Sequence, residues 1–257
     1  MAPSISSQFK YATLGQVVTA IKELGFHSVV EAALGADMVS FAESKELMEK
    51  GFLTSSCCPA FVSFIQKKYP QLVDKISSNL SPMATIAKYI KSVDSTAKII
   101  FIGPCIAKKA EIKLDKVKPY VDSVLTFEEL QALIDSRNID ASKLEENKLD
   151  NASYYGRIFA RTGGLTDAVK QALIEQGITN FEFKPTIASG LDECKAALDK
   201  ASKEPKDFNF IEGMACCNGC IGGPCCLTHE FRDKSEVDKY GHEAKEKTIS
   251  DAITILK

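Results

Sequence analysis

Nine cysteines are spread unevenly through this 257-residue chain: Cys57, Cys58, Cys105, Cys194, Cys216, Cys217, Cys220, Cys225 and Cys226. Five of them fall within residues 216–226. The odd count, the chain length and a polar start from Met1 to Lys10 with no apolar leader argue against a secreted disulfide framework. In a reducing compartment, clustered thiols more often bind metal or do redox chemistry. Three stretches carry most of them: Thr54-Ser55-Ser56-Cys57-Cys58-Pro59-Ala60-Phe61, Gly103-Pro104-Cys105-Ile106-Ala107-Lys108-Lys109-Ala110-Glu111, and Glu212-Gly213-Met214-Ala215-Cys216-Cys217-Asn218-Gly219-Cys220-Ile221-Gly222-Gly223-Pro224. An iron–sulfur cluster is held by deprotonated thiolates, commonly four for a cubane. One thiol from each of the first two stretches and two from the third would supply them. The glycines let backbone approach a bulky inorganic group, whose sulfurs backbone N–H groups could then tune.

These stretches need a scaffold that brings distant segments together. Apolar runs at 27–30, 52–55, 98–102, 121–125, 181–187 and 208–211 read as buried strands. Helical patterns alternate with them. Val17, Ile21 and Leu24 mark one face. Pro59 and Ser81-Pro82 are helix starts, Thr126-Phe127-Glu128-Glu129 is a capping box, and a helix over 165–176 stops at Gly177. The alternation predicts an α/β protein with mostly parallel sheet. We expect two lobes flanked by helices, with the site in the cleft between them and a boundary near 135–155, where the chain is polar and weakly periodic. Two of the cysteine stretches follow a predicted strand and precede a helix, and the third follows the strand near 211. In open α/β sheets, sites gather at the carboxyl ends of strands.

Charge and hydropathy exclude other classes. A net charge of −2 with 26% charged residues gives no basic face for nucleic acid or an anionic membrane. No apolar run approaches the roughly 18 residues of a membrane span. A cytoplasmic protein is expected.

The three cysteine stretches, in this order, resemble the signatures of the FeFe (iron-only) hydrogenase catalytic domain, T-S-C-C-P, P-C-x-x-K-K and M-A-C-x-x-G-C. The resemblance covers nearly the whole chain. Ala2-Pro3-Ser4 resembles the segment that opens the family's domain, Ser77-Ser78-Asn79-Leu80-Ser81-Pro82 its S-S-x-x-S-P segment, and Phe159 with Thr162-Gly163-Gly164 its F-x-x-T-G-G helix entry. It implies an H-cluster: a 4Fe–4S cubane joined through one thiolate to a two-iron unit with CO, CN⁻ and azadithiolate ligands. By position, Cys58, Cys105, Cys216 and Cys220 would ligate the cubane, with Cys220 also bridging to the two-iron unit. Cys57 would be the proton donor, and Lys108 would hydrogen-bond a cyanide. Pro3, Ser4, Phe159 and Met214 would line the two-iron pocket, with Ser81, Pro82 and Pro104 beside them.

The implied activity is reversible reduction of protons to H2. Protons would leave Cys57 through Glu43, Ser77 and Glu46. The two glutamates sit three apart on one helix face, where a solvated surface is the competing reading. Electrons would come from ferredoxin or a separate ferredoxin-like domain, since no C-x-x-C-x-x-C run is present. Hydrogenase maturation proteins would install the two-iron unit. Because the resemblance starts abruptly at the first pocket motif, Met1 reads as an added start to a truncated chain or one that works with a partner chain.

Some positions depart from the family's usual residues: Gly103 for methionine, Met83 for glutamine, Ala60-Phe61 for Gly-Trp and Pro224-Cys225-Cys226 for Gly-Gln-Pro. They mark a divergent subgroup. Two other functions therefore stay in view. One is a non-catalytic hydrogenase-like protein, a sensor or an iron–sulfur assembly factor. The other is a structural zinc module, which the lack of paired cysteine knuckles disfavours. Cys217, Cys225 and Cys226 read as bystanders or ligands of another metal, Cys194 as packing, Lys109 as solvent-facing, and His27, His229 and His242 as unconnected to metal.

Overall fold

A computed structural model describes residues 1–203 and 207–254. After a 3-10 turn at Pro3–Ser7 come α1 (Leu14–Glu23), α2 (Ala32–Lys50), β1 (Leu53–Thr54), α3 (Pro59–Lys68), α4 (Pro82–Val93), β2 (Ile100–Gly103), α5 (Ala107–Glu111), β3 (Ser123–Thr126) and α6 (Phe127–Ser136). The second half adds α7 (Tyr154–Ile158), α8 (Gly164–Glu175), β4 (Pro185–Ser189), α9 (Leu191–Ala201), β5 (Phe210–Met214), α10 (Asp233–His242) and α11 (Ile249–Thr254). The strands form two parallel sheets, β2-β3 and β1-β5-β4. The expected α/β architecture with parallel sheets and flanking helices is therefore what the chain adopts.

Local chemistry explains the helix starts. Pro59 and Pro82 occupy the first helical turn, where a missing N–H costs nothing. The Thr126 capping box forms reciprocally with Glu129. A second box, Thr13 with Gln16, starts α1 and went unread in the sequence.

Two strand expectations need correction. Residues 27–30 form no strand: their backbone neighbour is a single residue, Met1, whose amine donates to Val30 O at 2.9 Å and whose carbonyl accepts from Ala32 N at 2.8 Å. The run at 181–187 becomes β4 only from Pro185, where pairing with Phe210 of β5 begins. Its aromatic residues, Phe181 and Phe183, pack sideways into the core beneath α8 instead.

The helix that organises the molecule is α2, with twelve of its nineteen residues buried. A helix buried nearly all round is packed by neighbours on every side. A Cβ on Gly35 would fall 2.1 Å from Pro82 O, so glycine is what lets α2 and α4 cross this closely. Across α2's start, Arg157 is 1% exposed and donates from Nε to Glu31 Oε1 at 2.8 Å and from Nη1 to Tyr240 O at 3.1 Å. The guanidinium also lies 4.2 Å from the Tyr240 ring centroid. This paired buried charge ties α2, α7 and α10 together. Among the described residues, no helix is long and apolar enough to cross a membrane.

Candidate metal centre

All three cysteine stretches leave the carboxyl ends of strands. The backbone runs from β1 into Cys57-Cys58, from β2 into Cys105 and from β5 into Cys216–Cys226. The third loop is tied to the second and to the turn between α7 and α8. Cys220 N donates to Ala160 O at 2.8 Å and Cys225 N to Pro104 O at 3.1 Å, while Arg161 and Gly219 form an isolated antiparallel bridge. Close approach makes two glycines obligatory: a Cβ on Gly222 would sit 1.8 Å from Cys217 O, and one on Gly223 2.6 Å from Pro104 O. On the first loop, Ser55 Oγ accepts from Gly213 N at 3.1 Å, fixing Cys57-Cys58 to β5.

Helix N-termini also converge here. Cys58 is the N-cap of α3, α5 starts two residues after Cys105, and α9 starts at Gly190, where a Cβ would lie 2.9 Å from Cys217 Sγ. None of these three helices has a side-chain cap, so their N–H groups present partial positive charge to the thiols. The start of α8 is treated differently. Glu212, fully buried on β5, accepts from Gly163 N at 2.7 Å and from Thr166 N at 2.8 Å. Glu212 heads the third cysteine motif, yet nothing in the sequence gave it a role.

Burial dominates the thiols' proton affinity. It pushes Cys57 well above the ordinary thiol value, helped by the charges of Cys58, Glu43 and Cys220 and opposed by Lys108. Cys216 is raised to about 11 by burial and by Cys58 and Cys105, and Cys105 and Cys220 are raised chiefly by burial. These thiols hold their protons until a cation displaces them, which is the normal coupling of metal binding to proton release. Cys58, Cys105, Cys216 and Cys220 thus act on one another electrostatically. Yet among the described residues no three His, Cys, Asp or Glu side chains converge tightly enough for a single ion. Four thiols delivered by three loops are the donor type and number that a cubane would take, one thiolate per iron.

Lys108 is 9% exposed and donates to Cys57 O at 3.1 Å and to Glu111 Oε2 at 2.6 Å. Burial works against its charge, but Glu111 and the nearby thiols outweigh that. Glu111, itself 7% exposed, supplies a counter-charge for Lys108 within the chain. Glu111 was visible in the second motif, three residues after Lys108 at helical spacing.

Glu43 and Glu46 of α2 are 1% and 8% exposed, which removes the solvated-face alternative. They are held differently. Glu46 accepts from Ser77 Oγ at 2.9 Å, Ser78 N at 2.9 Å, Asn79 Nδ2 at 2.8 Å and Lys50 Nζ at 2.7 Å. Burial alone would raise Glu46, but these donors, Lys50 first, bring it below the usual carboxylate value. Neither oxygen of Glu43 has a well-formed hydrogen bond. Burial pushes it up to about 8; the Ser77 hydroxyl and Ser56 backbone are near enough to oppose this, while the charges of Glu46 and Glu212 add to it. At neutral pH one glutamate of the pair is an acid and the other a base.

The remaining expected site residues divide. Pro3 and Ser4 lie in the first 3-10 turn, and Ser4 Oγ is buried without a partner. Phe159 and Met214 are 5% and 2% exposed, and Pro104 holds Cys225 through its carbonyl. Ser81 and Pro82 start α4, with Ser81 Oγ accepting from Ala84 N at 3.4 Å. Cys194 is fully buried in α9, with its thiol 3.5 Å from Met214 O. Cys225 and Cys226 are buried, and Cys226 donates to Ile221 O at 3.4 Å; Cys217 is exposed. Lys109 does not simply face solvent, because it pairs with Glu129. The three histidines lie apart: His229 bonds Gly223 O at 2.9 Å, His27 bonds Ser28, and His242 stacks on Tyr154.

Residues 1–224 match the family model described as the iron only hydrogenase large subunit, C-terminal domain, and the chain belongs to that family. The chain is 28% identical over 280 residues to iron hydrogenase 1 of Clostridium pasteurianum, covering 87% of this chain and 48% of that one. It is also 32% identical over 142 residues to the cytosolic Fe-S cluster assembly factor NAR1 of Botryotinia fuckeliana, over 47% of this chain and 25% of the relative. Among solved structures, a single-residue variant of the [FeFe]-hydrogenase HydA1 from Chlamydomonas reinhardtii superposes with a TM-score of 0.72 at 20% identity, covering 96% of this chain and 83% of that one. The fold is therefore the hydrogenase domain's. The chain spans about half the length of the curated hydrogenase it matches. Relatives bearing both hydrogenase and assembly-factor names place it in a hydrogenase-like iron–sulfur family.

Proposed function

We propose that the chain is the catalytic domain of an FeFe hydrogenase, interconverting protons, electrons and H2. Cys58, Cys105, Cys216 and Cys220 would hold a 4Fe–4S cubane, and Cys220 would also carry a two-iron unit with CO, CN⁻ and azadithiolate ligands. When bound, that group supplies the redox-active irons at which H2 is made or split. Pro3, Ser4, Phe159 and Met214 enclose its pocket and exclude water. Lys108 keeps a donor available there while Glu111 balances its charge. Ferredoxin or a ferredoxin-like domain would deliver electrons, and maturation proteins would install the two-iron unit.

One observation carries the reading: a fifth thiol, Cys57, interacts electrostatically with Cys58 and Cys220 and with Glu43, near which buried polar groups lead outward. Cys57 holds a proton at the buried end. Glu43, mostly protonated near neutral pH, passes one on; Ser77 hands it to ionised Glu46; and Lys50, with a side chain 41% exposed, opens the route to solvent. A protein that only stores or transfers a cubane has no use for such a chain.

The test is infrared spectroscopy after the cubane-loaded protein is given a synthetic two-iron cofactor. CO and CN⁻ bands with H2 evolution are expected. A cubane signal without those bands would instead favour the assembly-factor or sensor reading. A colourless protein with one zinc per chain would sink both.

A further inference from the structure

The proposed proton route contains a side chain whose role is set by geometry alone. Asn79 donates from Nδ2 to Glu46 Oε2 at 2.8 Å and to Ser77 Oγ at 3.1 Å. Its backbone carbonyl accepts from Ser56 Oγ at 2.9 Å, one residue before Cys57. The amide orientation is the one the network requires, because the reverse would set Oδ1 against a carboxylate oxygen.

Ser77 Oγ has one proton to donate and two lone pairs to accept with. The proton goes to Glu46 Oε2 at 2.9 Å, and Asn79 occupies one lone pair. The Asn79 backbone N–H also donates to Ser77 Oγ, at 3.4 Å, so both acceptor positions face Asn79 and the hydroxyl proton is left for Glu46. Glu46 Oε2 meanwhile receives both the Ser77 hydroxyl and the Asn79 amide, so a proton on that oxygen must displace a donor. Asn79 thus keeps the Ser77 hydroxyl turned outward, toward Glu46, and keeps Glu46 Oε2 an acceptor.

We propose that Asn79 is a positioning residue that sets the polarity of the Glu43–Ser77–Glu46 chain and so biases it toward releasing protons, the direction of H2 oxidation. This rests on the hydrogenase reading above. Uptake through the same groups needs Ser77 to turn its hydroxyl toward Glu43 and Glu46 to carry a proton where Asn79 donates, and Asn79 opposes the second of these directly.

Two variants test it. Asn79→Leu removes the donor at similar volume, and Asn79→Asp keeps the shape but replaces the donor with an acceptor. Lys50 and Glu43, the charged neighbours of Glu46 on α2, are unchanged in both, and Ser77 and Ser78 carry no charge. The first readout uses protein without any cofactor: the carboxylate stretch of Glu46 is followed against pH by infrared difference spectroscopy, with Glu46→Gln assigning the band. Glu46 should bind its proton at least threefold more tightly in Asn79→Leu, and more tightly still in Asn79→Asp. A band that titrates as in the wild type in both variants overturns the proposal.

The second readout is the ratio of H2 oxidation to H2 evolution after loading. It should fall at least threefold in Asn79→Leu with the KM for H2 unchanged. Equal losses in both directions would show a merely structural role and overturn the bias. If the loaded wild type turns over in neither direction, the hydrogenase reading falls with the bias built on it, while the cofactor-free titration still decides whether Asn79 holds Glu46.

Discussion

On the thiol side of the site, Cys57, Cys105, Cys216 and Cys220 are all pushed toward the protonated form by burial, and three loops from different strands deliver them. On the carboxylate side, one helix carries both groups, and its surroundings drive them apart: Glu43 up to about 8, Glu46 below its usual value. The difference is in the hydrogen bonds. A thiol is a weak acceptor, so little offsets its desolvation until a metal arrives. A carboxylate can be held ionised by three or four donors, so the number of donors decides which state it adopts. On the proposed function, one side of the site would lose its protons once, to iron, and the other would move them repeatedly.

Breaking the thiol side should give the largest effect. Cys220→Ala is expected to reduce iron after reconstitution from about four per chain to a small fraction, measured by iron content and visible absorbance. Retention of a full cubane would remove Cys220 from the ligand set. Cys57→Ala should separate the two sides: cluster absorbance stays, while H2 turnover falls roughly 100-fold or more.

Glu43→Gln should lower turnover by a similar or somewhat smaller factor and leave iron content unchanged. It also sharpens the comparison through stability. The folded-state value of about 8 lies above the ordinary 4.5, so the folded protein holds a proton that the unfolded chain has already released. That contribution is fully present below about pH 4.5 and is lost as pH rises through about 8. The variant, which stays neutral, should therefore match the wild type in acid and exceed it above pH 8 by on the order of 5 kcal/mol in urea unfolding. Equal pH dependence in the two proteins would show that Glu43 is not held protonated. The smallest effect belongs to Lys50→Gln at the exposed end. Turnover should fall only about two- to fivefold, with a stability loss below about 1 kcal/mol, because its pair with Glu46 is partly solvated.

Much of the centre was legible in the sequence because covalent neighbours define it. Cys57, Cys58, Cys105, Cys216 and Cys220 sit in short motifs after apolar runs, and a loop at a strand's carboxyl end is a local consequence of strand–helix alternation. The Thr126 capping box was legible for the same reason. Residues 27–30 misled because an apolar run specifies burial, not a pairing partner, and their backbone bonds to Met1, which belongs to no strand. The pairing at Lys108 went beyond the sequence, which shows a cation and a carboxylate three residues apart without showing that Glu111 folds back onto the buried amine.

The sequence by itself determined most of the elements, the placing of the thiols in loops that follow strands, and the family. These depend on residue type and on spacings shorter than one turn or one loop. Only the tertiary structure decided which glutamate is acid and which is base. Both lie on α2, three residues apart, with the same side chain. Lys50, one turn along the same helix, helps to hold Glu46 ionised, but the remaining donors, Ser77, Ser78 and Asn79, come from more than thirty residues away and reach Glu46 while Glu43 is buried without a bond. Proton affinity is a property of the surroundings of a group, and only the folded chain brings those surroundings together.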